Sequence, residues 1–245
     1  MRHTFRYLVA EPPVAGEELA LSPGDSHHLS RVVRRRPGDE VELADGAGRL
    51  WPAVVVAAGP RATVRVGEPR DAPRPPAVSL HLGLTDWARV DLVVEKAAEL
   101  GVQEVTLMTS ERARRIPGAD AWERRRRRLE RVAEAAARQS GQAWLPRLRG
   151  LVPFDDALAE IPSGEGCLID PRGDAAVSAV AGRSGRAALL VGPQAGFSEA
   201  EVERAREAGL AVCGLGPAVL RTETAAIAAV TLALAAVGRL EGGVA

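Results

Sequence analysis

Two short apolar runs, each ending in a glycine- and proline-rich loop that opens a helix, constrain this chain more than any other feature. The first is Leu189-Leu190-Val191-Gly192-Pro193-Gln194-Ala195-Gly196-Phe197-Ser198. The second is Gly214-Leu215-Gly216-Pro217-Ala218-Val219-Leu220-Arg221-Thr222-Glu223-Thr224. Glycines let backbone approach a ligand closely and adopt positive φ. A helix N-terminus adds free N–H groups, and Ser198 with Glu201 three residues on reads as a capping box. Ile169-Asp170-Pro171-Arg172-Gly173 ends an apolar run in the same way. In an open α/β sheet, ligands bind at the carboxyl ends of the strands, so three such loops predict one small-ligand site.

The flanking sequence supplies that sheet. Strands are predicted at Val78–Leu84, Glu104–Met108, Gly166–Asp170, Ala187–Val191 and Leu210–Leu215, with helices between them. One helix starts from Thr85 or Asp86 and stops at Gly101; a second is capped by Asp120, runs to about Gln139 and stops at Gly141. Asp155-Asp156 opens a further helix, where the dipole favours acids. The last helix starts near Thr222–Thr224 and runs to about Leu240, apolar on nearly all sides, so it is buried or lies in a subunit interface. Strands alternating with helices predict an α/β domain with a largely parallel sheet. Residues 1–73 read differently, as short strands at Leu19–Leu21, Glu40–Leu43, Leu50–Val56 and Ala62–Val66, with a hairpin turn at Asp45-Gly46 and a short helical pattern over 25–34. His27 and His28 are read as helix-start residues rather than metal ligands, since no third ligand lies at metal spacing. The proline-rich Asp71–Pro76 linker divides the chain into 1–73 and 77–245.

The formal net charge of 0 hides a segregation. Residues 112–149 hold 12 Arg against 4 acids, a net of +8, and residues 150–245 hold 7 Arg against 12 acids, a net of −5. Arginine concentrated in this way points to a polyanionic partner. Arg31, Arg34, Arg35 and Arg36 make a second basic stretch beside the N-terminal strands. Cys167 and Cys213 sit in apolar runs and read as core packing in a reducing compartment. With no membrane-length apolar run and no signal peptide behind Met1-Arg2-His3-Thr4, the expectation is a soluble, cytoplasmic protein without a metal. No G-x-G-x-x-G, P-loop, G-x-S-x-G elbow or H-E-x-x-H is present.

The Gly192–Ser198 loop, the Leu215-Gly216-Pro217 turn and the string Val219-Leu220-Arg221-Thr222-Glu223-Thr224-Ala225 resemble the RsmE-type ribosomal RNA uridine-N3 methyltransferases. So do Glu95-Lys96-Ala97-Ala98-Glu99-Leu100-Gly101-Val102 with the Ser110-Glu111-Arg112 turn, and His27–Arg34 with Pro37-Gly38-Asp39. The resemblance covers essentially the whole chain. It implies a PUA-like RNA-binding β-barrel followed by a SPOUT domain with a deep trefoil knot, and a homodimer. It also implies S-adenosylmethionine as cofactor and a uridine of small-subunit (16S) ribosomal RNA as substrate. Carried onto this sequence, cofactor contacts fall on Leu168, on Gly192, Pro193, Gln194, Ala195 and Gly196, on Leu215 and Gly216, and on Leu220, Thr222, Glu223 and Thr224. Glu223 and Thr224 are also expected to cap the last helix. Arg221 is the expected catalytic side chain. RNA contacts fall on Arg31, Arg34, Arg35 and Arg36 and on Arg112, Arg124, Arg125 and Arg128, with ribosomal RNA or the small subunit as partner.

Four positions depart from the family pattern: Gln194 stands for Glu, Ala195 for Gly, Ala218 for Arg, and Gln142 for Arg. Gln194 loses a charge, and Ala195 would disfavour any positive φ. These changes carry an alternative reading, an RNA-binding protein on the same fold with altered or lost catalysis. No residue reads as an obvious base for N3, so positioning is expected to supply much of the rate. The uridine should be flipped out or single-stranded, because N3 is hidden in a pair.

Overall fold

A computed structural model describes residues 5–113 and 116–240. Met1–Thr4, Arg114 and Arg115 of the basic stretch, and residues 241–245 lie outside the described residues. The chain divides into two compact units: one runs to Arg74 and takes in Ala137–Leu145, and the other holds Pro75–Ala136 and continues from Pro146.

The first unit is a six-stranded mixed sheet of β1 (Arg6–Leu8), β2 (Glu18–Ala20), β3 (Glu40–Ala44), β4 (Arg49–Ala57), β5 (Thr63–Val66) and β6 (Arg70–Asp71). The order is β1-β3-β4-β5-β2, with β6 on β4. β1 joins β3 in parallel and the other pairs are antiparallel. Alternation along β4 sends Trp51, Ala53 and Val55 into the core and leaves Pro52 and Val54 exposed. At the Asp45-Gly46 turn, Asp45 Oδ1 accepts from the amides of Ala47 (2.8 Å) and Arg49 (3.0 Å). Gly48, at φ +96°, leaves room for Trp144, which a Cβ there would meet at 2.0 Å. That contact explains why residues 137–145 belong with this unit. Helix α1 (Pro23–His27) continues as a π-helical turn, His28–Val32. The histidines therefore lie within the helical run, and its cap is Ser22, whose hydroxyl accepts from the Asp25 amide.

The second unit is a six-stranded all-parallel sheet of β7 (Ala77–Gly83), β8 (Glu104–Thr109), β9 (Arg147–Pro153), β10 (Gly166–Ile169), β11 (Arg186–Val191) and β12 (Ala211–Cys213). The order is β12-β10-β11-β7-β8-β9. Helices α2 (Trp87–Leu100), α3 (Ala119–Ser140), α5 (Val177–Ser184) and α7 (Thr222–Ala236) contribute to the core on one face. Helices α4 (Phe154–Ala159) and α6 (Glu199–Glu207) cover the other. Alternation assigns the side chains: Cys167, Ile169, Leu189 and Val191 join the first core, and Leu168, Ala188 and Leu190 join the second. Gly101 ends α2 at φ +80° and Gly141 follows α3 at φ +69°, as the sequence predicts. Asp120 lies inside the first turn of α3, not at its cap, and α7 stops at Ala236. No helix among the described residues is long and apolar enough to cross a membrane.

The chain reaches β9 at one edge, crosses to β10, returns inward to β11 beside β7, and finishes at the opposite edge in β12. The loops leaving β10, β11 and β12 therefore emerge side by side at their carboxyl ends.

Candidate active site

Those three loops enclose a cavity of about 460 Å³. The β10 loop contributes Ile169, Asp170, Pro171 and Arg172. The β11 loop contributes Val191 through Phe197, and the β12 loop contributes Leu215, Gly216 and Ala218 to Thr222. Glycines let the backbones meet. A Cβ on Gly83, at the end of β7, would stand 2.6 Å from both Pro193 Cδ and Pro193 N. A Cβ on Gly173 would stand 2.5 Å from the Cys213 carbonyl carbon, and one on Gly214 would stand 2.6 Å from the Gly173 oxygen. Gly196 (φ +71°) and Gly216 (φ +90°) supply the left-handed turns. Ala195 is not among the positive-φ residues, so its substitution for glycine stores no backbone strain.

Three arginines line the cavity, and two are committed elsewhere. Arg172 forms a bidentate pair with Asp170, Nε to Oδ1 at 2.7 Å and Nη2 to Oδ2 at 2.9 Å. Asp170 is only 5 % exposed. Burial pushes its carboxyl up, but the Arg172 guanidinium and amide outweigh this and hold it below the ordinary aspartate value. Arg112 donates to the carbonyls of Phe197 (3.1 Å) and Ala195 (3.3 Å). Arg112, expected from the sequence as an RNA contact, clasps the β11 loop, beside which the turn after β8 lies. Arg221 precedes α7 and is exposed, and its side chain makes no hydrogen bond or ion pair among the described residues. Its neighbour Val219 is 84 % exposed at the rim.

A buried carboxylate fixes the β11 loop. Glu201 is 0 % exposed. Its Oε2 accepts from the Ser198 amide (2.8 Å), its Oε1 accepts from the Glu111 amide (2.8 Å), and the Ser198 hydroxyl accepts from the Glu201 amide (3.0 Å). The predicted capping box is thus present, with a second duty, tying the turn after β8 to the start of α6. The Ser198 hydroxyl, and then Arg204, hold the Glu111 carboxyl below its ordinary range. Arg204 also bonds Asp155 at 2.8 Å.

Of the predicted cofactor residues, Gly192, Pro193, Gln194, Ala195, Gly196, Leu215, Gly216, Leu220 and Thr222 line the cavity, and Leu168, Glu223 and Thr224 do not. Leu168 points into the α4/α6 core, since alternation gives the cavity to Ile169. Glu223 accepts from Arg89 at 2.7 Å and joins the first turns of α2 and α7. Burial raises its pKa, but its own amide and Arg89 bring it below the ordinary value. Neither residue caps α7 with its side chain: the cap position is Arg221, with no side-chain capping bond. The sequence places the Ile169–Gly173 loop at the site but does not announce the Asp170–Arg172 ion pair within it. The Glu201–Glu111 link is 90 residues long and has no local signal.

The other basic residues divide. Arg31, Arg34 and Arg36 are exposed, with Arg34 at φ +54°. Arg35 is half-buried, its guanidinium 5.3 Å from the Phe5 ring centroid. In the α3 run, Arg126 pairs with Glu123 and Glu130, and Arg127 pairs with Glu123. Arg128 pairs with Asp91 at 2.8 Å, and Arg125 lies over the Trp87 ring at 4.8 Å. The Arg124 side chain has no hydrogen bond or ion pair among the described residues and is exposed.

Comparison with known proteins agrees with this geometry. The chain matches the RNA methyltransferase domain family over residues 72–234 and the RNA methyltransferase PUA domain family over residues 21–66. Ribosomal RNA small subunit methyltransferase E of Mycobacterium tuberculosis is 31 % identical, with 96 % of this chain and 91 % of that protein covered. The Bacillus subtilis protein of the same name is 27 % identical over 94 % and 95 %. Among solved structures, Ribosomal RNA small subunit methyltransferase E from Neisseria gonorrhoeae bound to S-adenosyl methionine superposes with a TM-score of 0.80 at 27 % identity, covering 95 % of this chain and 98 % of that one. A Legionella pneumophila methyltransferase in complex with the cofactor SAM gives a TM-score of 0.80 at 27 % identity, covering 96 % and 98 %. With three converging loops, a PUA domain and full-length relatives in agreement, this chain belongs to the RNA methyltransferase family, in its ribosomal RNA small subunit methyltransferase E branch.

Proposed function

We propose that the chain methylates N3 of a uridine in small-subunit (16S) ribosomal RNA, with S-adenosylmethionine held in the three-loop cavity. The observation that carries this reading is that Arg221 is the one cavity arginine, among the described residues, left uncommitted. The walls fit the cofactor. Ile169, Val191, Leu215 and Leu220 are apolar surfaces for an adenine, glycine backbone flanks them, and the volume lies within the roughly 300–1,000 Å³ of small-molecule sites. The bound cofactor supplies an electrophilic methyl group on a sulfonium. Arg221, at the rim, is suited to hold a uracil carbonyl and favour the N3 anion. Asp170, the one carboxylate lining the cavity among the described residues, is occupied by Arg172. The N3 proton therefore passes to water, and the fixed loops provide orientation.

The remaining expectations form part of the same proposal. The stretch from β10 through β12 to α7 forms a deep trefoil knot, and the chain acts in the cytoplasm as a homodimer through α7, where Leu232 is exposed. Arg31, Arg34 and Arg36 of the PUA domain contact RNA.

The test is calorimetry with S-adenosylmethionine, followed by tritiated methyl transfer to small subunits that lack the modification, with the product base mapped. Cofactor binding and label at uridine N3 are expected. No cofactor binding would refute the enzyme, and label on another base would refute the substrate.

A further inference from the structure

The five consecutive arginines of α3 do not act as one patch. Arg126 and Arg127 are neutralised within the helix by Glu123 and Glu130. The other three turn to a different face. Arg124 and Arg128, with Arg131 at i, i+4 and i+7, line a separate cavity of about 350 Å³ together with Arg125 and Trp87. Four guanidinium groups converge there, and Asp91, paired with Arg128, is the one carboxylate that an ion pair brings to them among the described residues. The stripe spans about 10 Å along the helix, seven steps of about 1.5 Å each. Arg125 lies over the Trp87 indole, its guanidinium carbon 4.8 Å from the ring centroid. A guanidinium backed in this way has lost much of its rotamer freedom, and such planes stack on unpaired bases.

The geometry points to a single-stranded RNA subsite in this cavity, resting on the proposed methyltransferase reading. One base stacks on the Arg125–Trp87 platform, and flanking phosphates are taken by Arg124, Arg128 and Arg131. Trp87 opens α2, and Arg89 in the same turn pairs with Glu223 at the start of α7. The subsite therefore stands on the elements that carry Arg221, placed to hold a strand whose target uridine enters the other cavity.

The test uses the full chain and a fluorescent single-stranded RNA oligonucleotide, with anisotropy read across a salt series. R124Q/R131Q should flatten the slope of log K against log salt by about 1.4, roughly 0.7 for each lost phosphate contact. R126Q/R127Q, matched in net charge, should leave the slope unchanged. R125K keeps the charge but not the plane, and should weaken binding about 5- to 10-fold at an unchanged slope. Calorimetry with S-adenosylmethionine checks that each variant is folded, and should give wild-type affinity. Equal slopes for the two double variants, or an R125K protein that binds like wild type, overturn the subsite and leave the methyltransferase reading standing. Failure of the wild type to bind both RNA and cofactor overturns both.

Discussion

Removing the Glu201 carboxylate should damage the site more than any change to a cavity-lining glycine of ordinary conformation. Glu201 is fully buried, and its two oxygens each accept a backbone amide at 2.8 Å, from Ser198 and from Glu111. Glu201→Ala orphans both donors, at about 1–3 kcal/mol each. The lower half of that range applies, since Glu111 is exposed and Ser198 half-buried. The Ser198 bond is itself one arm of the capping box, and relief of the buried charge offsets part of the loss. A net destabilisation of about 1–3 kcal/mol is expected, which at a slope of about 2 kcal/mol/M lowers the urea midpoint by roughly 0.5–1.5 M. Glu201→Gln keeps one acceptor oxygen and should lose about half as much. The Gly192–Gly196 loop ends at Ser198, so cofactor affinity measured by calorimetry in native buffer should fall in the same order. If the alanine midpoint stays within about 0.3 M of wild type, or if glutamine and alanine behave alike, the two amides are not held by this carboxylate and the bracing argument is wrong.

Arg221→Ala should lower kcat by about 100-fold, in the range for loss of one electrostatic stabiliser, with cofactor affinity nearly unchanged; equal turnover would remove Arg221 from the reaction. Gly83→Ala places a methyl 2.6 Å from Pro193 backbone and should shift the β11 loop, weakening cofactor binding about 5- to 150-fold for an overpacking cost of about 1–3 kcal/mol; an unaffected Kd would show that the loop yields freely. His81 is buried on β7, and its pKa is lowered by that burial first, with Glu104 and Glu160 opposing and Arg149 assisting. A depressed folded value means that its stabilising contribution is complete above about pH 6.5 and is lost as the pH falls towards the folded value. Denaturation midpoints from pH 7.5 to 5 should therefore fall in wild type and fall less in His81→Gln; parallel curves would assign the acid limb to other groups.

Five of the six strands of the second unit were legible because each of the five is an apolar run closed by a loop, and because Gly101, Gly141 and Ser198 punctuate the helices with fixed chemistry. β9 escaped notice: Arg147-Leu148-Arg149-Gly150-Leu151-Val152-Pro153 carries two charges, a glycine and a proline, and becomes a strand by pairing with β8. β1 and β6 are three and two residues long, too short for any periodicity to show. The cavity loops were legible from glycine and proline, whereas the side chain that fixes one of them was legible only as a helix cap. Local sequence reports what a residue does for its own turn. The Glu201–Glu111 and Arg89–Glu223 links join positions 90 and 134 residues apart, and nothing at either end announces the other.

Charge counting shows the same limit from the other side. A net of +8 over residues 112–149 treats every guanidinium as available to a polyanion. The contacts sort them into different tasks. Arg112 is spent on the carbonyls of the β11 loop. Arg126 and Arg127 answer carboxylates three and four residues away on their own helix, in exposed pairs of the kind that solvent screens. What remains available is set by helical phase: Arg124, Arg128 and Arg131 share a face because 3.6 residues make a turn, and Arg125 joins them because Trp87 captures it. Had the glutamates stood at 121 and 128 instead of 123 and 130, the pairs would have formed on the other side of the helix, with the same composition and the same net charge. The position of the acids, rather than the number of arginines, therefore decides which face of α3 can meet RNA.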